Sequence, residues 1–184
     1  MRYYREDLIR RIRQGEEMAY FLFWGHTEKP GRVTKSCFSQ WYPCRFTADG
    51  VEYCCTEQYM MAQKALLFGD TEVYEMIMAS DQPKEIKALG RKVRNFDHKK
   101  WDENKYRIVL NGNIAKFSQN ESLKEFLLGT GSAVLAEASP YDDIWGIKLP
   151  ADHMDAKDPA KWQGENLLGF ALMDTRDILR SRED

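Results

Sequence analysis

Hydrophobic and polar positions follow a helical period over most of the chain beyond residue 55. A repeat of about 3.6 residues predicts helices over 56–68, 83–96, 101–117 and 121–128, and a last amphipathic helix over 168–179. Glycine or proline stands at several of the predicted ends, as expected for helix boundaries. The C-terminal two thirds of the chain are therefore predicted to be mainly helical.

The N-terminal third has a different pattern. Aromatic residues are frequent from Phe21 to Gly50, and glycines and prolines interrupt them, which favours short strands and turns over helices. Before this stretch, charged residues flank an apolar stripe at Leu8, Ile9 and Ile12, which predicts a short opening helix. We therefore expect an α+β, mainly helical fold with a few short strands near the N-terminal third, forming a single domain over residues 1–184.

The helix predicted over 56–68 has apolar side chains around its whole circumference, a pattern typical of a buried helix. Thr56 is expected to be its N-cap. Its charged residues are Glu57 and Lys64, which lie almost two turns apart on one line, separated by about 10 Å along the axis. Burying ionisable groups is costly unless they are paired or used. This line is therefore interpreted as the floor of a ligand pocket, with a solvated charged stripe as the alternative.

Three further clusters favour the pocket interpretation. The first lies in the irregular region, where aromatic rings can line a binding site mounted on a scaffold. The second combines two carboxylates with an aromatic ring and a glycine, and the third places two lysines beside an indole, which suits a phosphate next to a stacked ring. They lie at 23–26 and 38–42, at 139–146, and at 99–101.

Composition and charge narrow the classes of function. Hydrophobic residues make up 43% of the chain and charged residues 30%, which is typical of a globular protein. A net charge of -2 argues against a nucleic-acid coat protein or a membrane-surface binder, because both need a basic excess. With no export signal and no apolar run of roughly 18 residues, we expect a cytoplasmic monomer with no membrane partner, and nuclear access in a eukaryote.

The cysteines and histidines do not predict a metal site. No C-x-x-C spacing occurs, and no cluster of histidines completes a zinc-binding set. Adjacent cysteines in a chain without an export signal are interpreted as reduced thiols. We therefore expect neither a metal nor a redox cofactor. The four cysteines are Cys37, Cys44, Cys54 and Cys55.

Short motifs follow one another in a fixed order between Phe38 and Leu179. They include Phe-Ser-Gln-Trp-Tyr-Pro at 38–43, Thr-Glu-Gln-Tyr at 56–59, Glu-Ala-Ser at 137–139 and Trp-Gly at 145–146. Taken together, they resemble the NADAR family, also called YbiA-like, with the motif-bearing part at about 20–180. Family members often have histidine where Gln58 stands, so Gln58 is given no role in proton transfer.

The resemblance implies cleavage of an N-glycosidic bond to ribose by a YbiA-like domain. Two substrate classes are associated with the family: ADP-ribose attached to guanine, and early ribosylamino intermediates of riboflavin synthesis. The stretch at 23–26 resembles an extended front loop found in some members, which favours ADP-ribosyl-guanine in DNA, RNA or a free nucleotide. The alternatives are a module that binds ADP-ribose or NAD without cleaving it, and a purely structural pair of charges.

The residues suggest how such a bond would break. Cleavage places positive charge on C1′ and the ring oxygen, and Glu57 is expected to stabilise it or activate the attacking group. Lys64, partly desolvated, would bind the ribose or attack C1′ of an opened sugar. Asp142 would anchor ribose hydroxyls or act as a second carboxylate. The residues expected to bind substrate are Phe23, Trp24, Gly25, His26, Ser39, Tyr42, Arg91, Trp101, Trp145 and Gly146.

Overall fold

The computed structural model describes residues 2–182, and its contacts divide the chain into two compact units. One unit combines the residues up to Ser39 with those from Glu121 onward, and the other runs from Gln40 to Asn120. Helices dominate the described residues, and the strands are short. The fold is therefore α+β and mainly helical, as the residue pattern predicted.

The elements follow in chain order. Two short 3-10 helices, Lys35–Phe38 and Pro159–Lys161, accompany them. The regular elements are α1 (Arg5–Arg13), β1 (Tyr20–Phe23), β2 (Phe46–Ala48), β3 (Val51–Tyr53), α2 (Thr56–Leu67), α3 (Thr71–Met78), α4 (Pro83–Gly90), α5 (His98–Gln119), α6 (Glu121–Leu128), β4 (Val134–Glu137) and α7 (Leu167–Arg180).

Helix α2 is the centre of the Gln40–Asn120 unit, where it packs against α3, α4 and α5. Its first seven residues are all buried, as the apolar circumference predicted, whereas Leu66 near its end is 47% exposed. Two glycines permit the close packing. A Cβ on Gly112 of α5 would lie 2.7 Å from Cδ1 of Tyr59, and one on Gly90 of α4 would lie 2.0 Å from Sδ of Met61. A larger residue at Gly112 would have to displace the ring of Tyr59, and one at Gly90 would have to displace the side chain of Met61.

Strands β2 and β3 form an antiparallel hairpin in the same unit, with Phe46 opposite Tyr53 and Ala48 opposite Val51. The turn between them is Asp49-Gly50, with φ values of 51° and 78°. Two consecutive residues with positive φ give the turn whose twist matches a two-residue hairpin. The strand-like pattern before residue 55 therefore reflects real strands.

Three helix boundaries differ from the prediction. Cys55, not Thr56, is the N-cap of α2, because the hydroxyl of Thr56 donates to the carbonyl of Gln40 at 3.2 Å and Thr56 is already helical. Helix α4 ends at Gly90 rather than near residue 96. Helix α5 begins three residues earlier than predicted, since the carboxylate of Asp97 accepts from the amide of Lys100 at 2.6 Å.

A buried carboxylate explains why the chain leaves the helix after Gly90. Asp70 caps α3 and also accepts from the backbone amide of Arg94 at 2.8 Å and from its Nε at 3.0 Å. Asn95 then takes a left-handed conformation with φ of 55°. These contacts hold the segment between α4 and α5 against the start of α3. Hydrogen bonding to Arg94 keeps the pKa of Asp70 well below its usual range.

The other unit contains a parallel strand pair. Strand β1 pairs with β4 in the register Tyr20 to Val134 through Phe23 to Glu137, and α7 packs against β4. Strands were predicted near the N-terminal third, where β1, β2 and β3 lie, and β4 is an additional strand that the pattern did not indicate. Three buried apolar residues followed by half-buried Glu137 are too short a run to show a period that separates a strand from a helix.

Asn166 joins β4 to α7. It precedes the first residue of α7 in a left-handed conformation with φ of 57°, and its side chain is fully buried. Its Nδ2 donates to the carbonyl of Leu135 at 3.0 Å, and its Oδ1 accepts from the amide of Glu137 at 3.0 Å. One side chain therefore satisfies two backbone groups of β4 that α7 covers.

We predict that replacing Asn166 lowers the free energy of unfolding in two separable steps. Asn166→Gly removes both hydrogen bonds but keeps the permissive φ, at a cost of about 2 kcal/mol or more. Asn166→Ala should cost ~1 kcal/mol beyond that, since alanine resists a left-handed conformation. Urea unfolding at neutral pH measures both. Asn95→Ala, at an exposed residue of similar φ, measures the cost of placing alanine in a left-handed conformation. Equal stability of the two Asn166 variants would show that the left-handed conformation adds no cost at Asn166.

We also predict that the Asp70–Arg94 contact makes stability depend on acidity. Because the pKa of Asp70 is lowered in the folded state, its contribution is present at neutral pH and is lost as pH falls through the folded value. Asp70→Asn should therefore lower stability at pH 7 and flatten the loss between pH 4 and pH 2. Denaturant midpoints across this range provide the measurement. The matched control is Glu72→Gln, because Glu72 also contacts Arg94, at 2.9 Å, but is exposed. A similar effect of that substitution would show that the pH dependence does not come from the buried Asp70 carboxylate.

Candidate functional site

The predicted acid and amine both lie on helix α2. Glu57 is 2% exposed, and its backbone amide donates to the carbonyl of Gln40 at 2.9 Å. Lys64 is half-buried, and its Nζ donates to the carbonyl of Gly90 at 2.8 Å. Neither residue belongs to a solvated charged stripe, because one is buried and the other is held against the end of α4.

Two aromatic rings flank the amine of Lys64. Its Nζ lies 4.4 Å from the centroid of Phe96 and 5.5 Å from that of Trp101. Phe96 in turn packs on Phe68 at 5.1 Å between ring centroids. A cation held between ring faces keeps favourable electrostatics while it loses water. The lysine is therefore fixed in position by one carbonyl and two rings.

The surroundings of Lys64 shift its protonation equilibrium toward the neutral amine. Burial lowers the pKa of its amine, and the nearby Arg91 guanidinium lowers it further, whereas Glu57 acts in the opposite direction. A larger share of neutral amine at physiological pH is what a nucleophilic lysine requires. Four residues from the predicted set, Glu57, Lys64, Arg91 and Trp101, are thus brought together within one unit.

Tyr42 contacts a second buried lysine. Nζ of Lys116 lies 5.4 Å from the centroid of Tyr42 and 5.2 Å from that of Phe117, and Lys116 is fully buried. Lys116 is not among the site residues predicted from the sequence. The sequence did contain a sign of this burial, because Val109, Gly112 and Lys116 recur at the spacing of one helix face. Lysine is rarely buried, so a lysine on such a face is a candidate functional residue.

A pair of buried amides was also missed. Nδ2 of Asn113 donates to Oε1 of Gln40 at 3.3 Å and to the carbonyl of Val109 at 2.9 Å. Within residues 2–182, Nε2 of Gln40 and Oδ1 of Asn113 are buried and have no hydrogen-bond partner. Such groups are costly unless water or a ligand satisfies them. The pair therefore offers one donor and one acceptor, beside the start of α2.

The loop from Asp142 to Gly146 lies in the other unit. Oδ1 of Asp142 accepts from the amides of Ile144 at 3.0 Å and Trp145 at 2.7 Å, which closes a tight turn. A Cβ on Gly146 would lie 2.7 Å from the carbonyl oxygen of Glu137, so only glycine fits. The structure thus explains the shape of this loop. The roles of Asp142, Trp145 and Gly146 at a ribose stay predictions.

The front-loop residues have different environments. The ring of Phe23 is fully buried and packs edge-on against Phe38 at 5.4 Å, so its structural role is in the core. Trp24 is 53% exposed, and its ring lies 6.1 Å from that of Tyr141. The remaining predicted residues of this region are exposed Gly25, with φ of 84°, exposed His26, and half-buried Ser39.

Among residues 2–182, no three histidine, cysteine or acidic side chains gather in a group that could hold a metal ion. No helix in the same part of the chain has the length and apolar character needed to cross a membrane.

Comparisons with known proteins agree with one another. A family model for the NADAR domain matches residues 22–180. An N-glycosidase of Acanthamoeba polyphaga mimivirus is 45% identical over 163 residues, covering 86% of this chain and 95% of that protein. A riboflavin biosynthesis protein of Vibrio vulnificus is 28% identical over 142 residues, covering 77% of this chain and 35% of that protein.

A solved structure shows the same fold. The NMR structure of the E. coli protein YbiA superimposes with a TM-score of 0.73 at 26% sequence identity, covering 91% of this chain and 89% of that one. Together with the match of the family model over most of the sequence, this likeness shows that the chain belongs to the NADAR domain family.

Proposed function

We propose that this protein is an N-glycosidase that hydrolyses a ribosyl C–N bond, with ADP-ribose attached to guanine as its substrate class. The observation that carries the proposal is the environment of Lys64, which lies on the same helix as buried Glu57. Its amine is half-buried, has a lowered pKa and donates to the carbonyl of Gly90. The N-glycosidase name of the mimivirus relative supports the reaction class.

The chemistry of the bond assigns a role to Glu57. As the C–N bond of the nucleoside lengthens, positive charge develops on C1′ and the ring oxygen. A carboxylate in a site with little water stabilises that charge more strongly than one in bulk solvent. In direct hydrolysis, water then adds to C1′, and the departing base receives a proton.

Lys64 allows a second route. When the ribose ring opens, the neutral amine of Lys64 adds to C1′. The base then departs with a proton, which leaves an imine between Nζ and C1′. Water hydrolyses the imine and returns the free amine and the open-chain sugar. The lowered pKa of Lys64 favours this route, because a protonated amine has no lone pair to donate.

The buried amide pair supports recognition of the leaving base. Nε2 of Gln40 is a donor and Oδ1 of Asn113 is an acceptor, and both lack a partner within residues 2–182. The lactam edge of guanine carries the complementary acceptor and donor in adjacent positions. Both atoms are buried in this structure, so the base would reach them once the side chains that cover them move, and pairing with both would then remove the cost of burying them.

Arg91 supports a substrate with phosphates. Its guanidinium is exposed, and it is close enough to Lys64 to lower the pKa of that amine. A guanidinium binds phosphate oxygens through two parallel hydrogen bonds, so it suits the diphosphate of ADP-ribose. Trp101, beside the same lysine, offers an indole face for stacking.

A second candidate substrate is a ribosylamino pyrimidine phosphate. The name of the Vibrio relative, a riboflavin biosynthesis protein, favours it. Such a pyrimidine also has a lactam edge, so the amide pair does not distinguish the two substrates. The two substrates differ in their number of phosphates, because ADP-ribose carries a diphosphate and the pyrimidine intermediate carries a single phosphate.

We predict that Glu57→Gln lowers turnover by about 10²-fold or more, because the amide keeps the shape of the carboxylate and loses its charge. The measurement is release of base from ADP-ribosylated guanine DNA and from the ribosylamino pyrimidine phosphate, followed by liquid chromatography. Glu52→Gln, at an exposed residue of β3, should leave both rates unchanged. Wild-type turnover by Glu57→Gln would disprove the role of the carboxylate, and tight ADP-ribose binding without released base over hours would identify a binding module.

For the covalent route, we predict that borohydride traps a sugar adduct on Lys64 during turnover. The yield should rise with pH, since the neutral amine is the attacking form. Mass spectrometry of proteolytic peptides locates the adduct. Lys64→Arg should give none, because arginine stays protonated. Lys100→Arg is the matched control, since Lys100 also donates to a helix-end carbonyl and lies over an aromatic ring. Full activity without a trapped adduct would instead indicate direct hydrolysis.

A further inference from the structure

Two adjacent thiols lie at the start of helix α2, and the proposed hydrolysis does not use them. Cys54 follows β3, and Cys55 is the N-cap of α2. Their Sγ atoms are 3.9 Å apart and share an S–H···S hydrogen bond. A pair of sulfur atoms in contact is a chemical feature in its own right, because two thiols can form a bond that one thiol cannot.

Backbone hydrogen bonds hold the pair in place. The amide of Cys54 donates to Oε1 of Gln58 at 2.8 Å, and its carbonyl accepts from the amide of Cys44 at 3.0 Å. Nε2 of Gln58 in turn donates to the carbonyl of Ser80 at 2.9 Å. The two sulfur atoms are thus presented by a backbone that is tied both to α2 and to the segment before β2.

The two thiols differ in exposure and acidity. Cys54 is half-buried, whereas Cys55 is 1% exposed. The hydrogen bond with Cys55 lowers the pKa of Cys54 to about 7, although burial opposes this change. The same hydrogen bond and burial raise the pKa of Cys55. Cys54 is therefore the thiol of the pair that ionises first, and the more deeply buried Cys55 keeps its proton.

We propose that Cys54 and Cys55 form an oxidation site, which hydrogen peroxide converts into a disulfide between adjacent residues. The Cys54 thiolate attacks one peroxide oxygen, the O–O bond breaks, and the released hydroxide takes a proton to become water. Sγ of Cys55 then attacks the Cys54 sulfenic acid, loses its proton and expels the hydroxyl as a second water. Two thiols are oxidised, and one peroxide is reduced to two waters.

The product should be easy to reduce again. Adjacent Cα atoms are about 3.8 Å apart, which is shorter than the usual separation of roughly 4.4–6.8 Å across a disulfide. Strained disulfides have higher reduction potentials and yield to ordinary thiols. The site is therefore expected to cycle between its two forms.

Oxidation should disturb the start of α2. The Sγ atoms, now 3.9 Å apart, must approach to about 2 Å, which requires Cys55 to leave its present conformation at the helix cap. The bond from the Cys54 amide to Gln58 lies within the same turn, and Glu57 is two residues beyond the cap. On the proposed function, the oxidised protein therefore loses most of its glycosidase activity and regains it on reduction.

The test uses the full-length protein, reduced, freed of reductant and treated with a small excess of hydrogen peroxide. Intact mass spectrometry should show loss of two hydrogen atoms, a peptide map should place the change at Cys54 and Cys55, and dithiothreitol should reverse it. Cys55→Ser should gain one oxygen atom at Cys54, trapped by dimedone, in place of the disulfide. Cys54→Ser should show neither change.

Cys44→Ser is the matched control, because Cys44 is the next nearest cysteine by backbone contact. It should oxidise as the wild type does. Loss of the disulfide in this variant would overturn the proposal in favour of a Cys44–Cys54 bond, and gain of oxygen by the wild type without loss of hydrogen would overturn it outright. The mass change does not depend on substrate turnover, so a failure of the proposed glycosidase and a failure of this oxidation site are separate results.

Discussion

The burial of the first seven residues of helix α2, against which three other helices pack, is the constraint on which the other features of its unit depend. A charged side chain on a helix surrounded in this way has little access to water, so it must find a protein environment. Lys64 does so through one carbonyl and two rings, at the cost of a lowered pKa. Shifts of this kind are common among catalytic groups, which is why Lys64 is a candidate nucleophile.

Close helix packing creates that environment. Gly90 and Gly112 let α4 and α5 approach α2 until no room remains for a Cβ. Gly90 is also the last residue of α4 and supplies the carbonyl that accepts from Lys64. One residue thus ends a helix, allows its close approach and positions the candidate nucleophile. The close approach of α4 to α2 and the position of the Lys64 amine therefore both depend on Gly90.

Local pattern was sufficient to predict part of this arrangement. The helical period predicted most helices, and the two charges on an apolar circumference identified Glu57 and Lys64 as candidate site residues. What local pattern missed depends on partners distant in the chain. The end of α4 depends on Asp70 binding Arg94, and strand β4 on pairing with β1. The amides of Gln40 and Asn113 are 73 residues apart, so no short motif could join them.

The loop that ends at Gly146 has a consequence for how this fold can diversify. A Cβ on Gly164 would lie 2.2 Å from the carbonyl oxygen of Gly146, and Gly146 itself has no room for a side chain. Two chain segments cross here at backbone contact, so natural variation cannot enlarge either position without moving both. Room for larger side chains in this loop lies beside the contact, where Lys148 takes a left-handed conformation and reaches Asp143 at 3.1 Å.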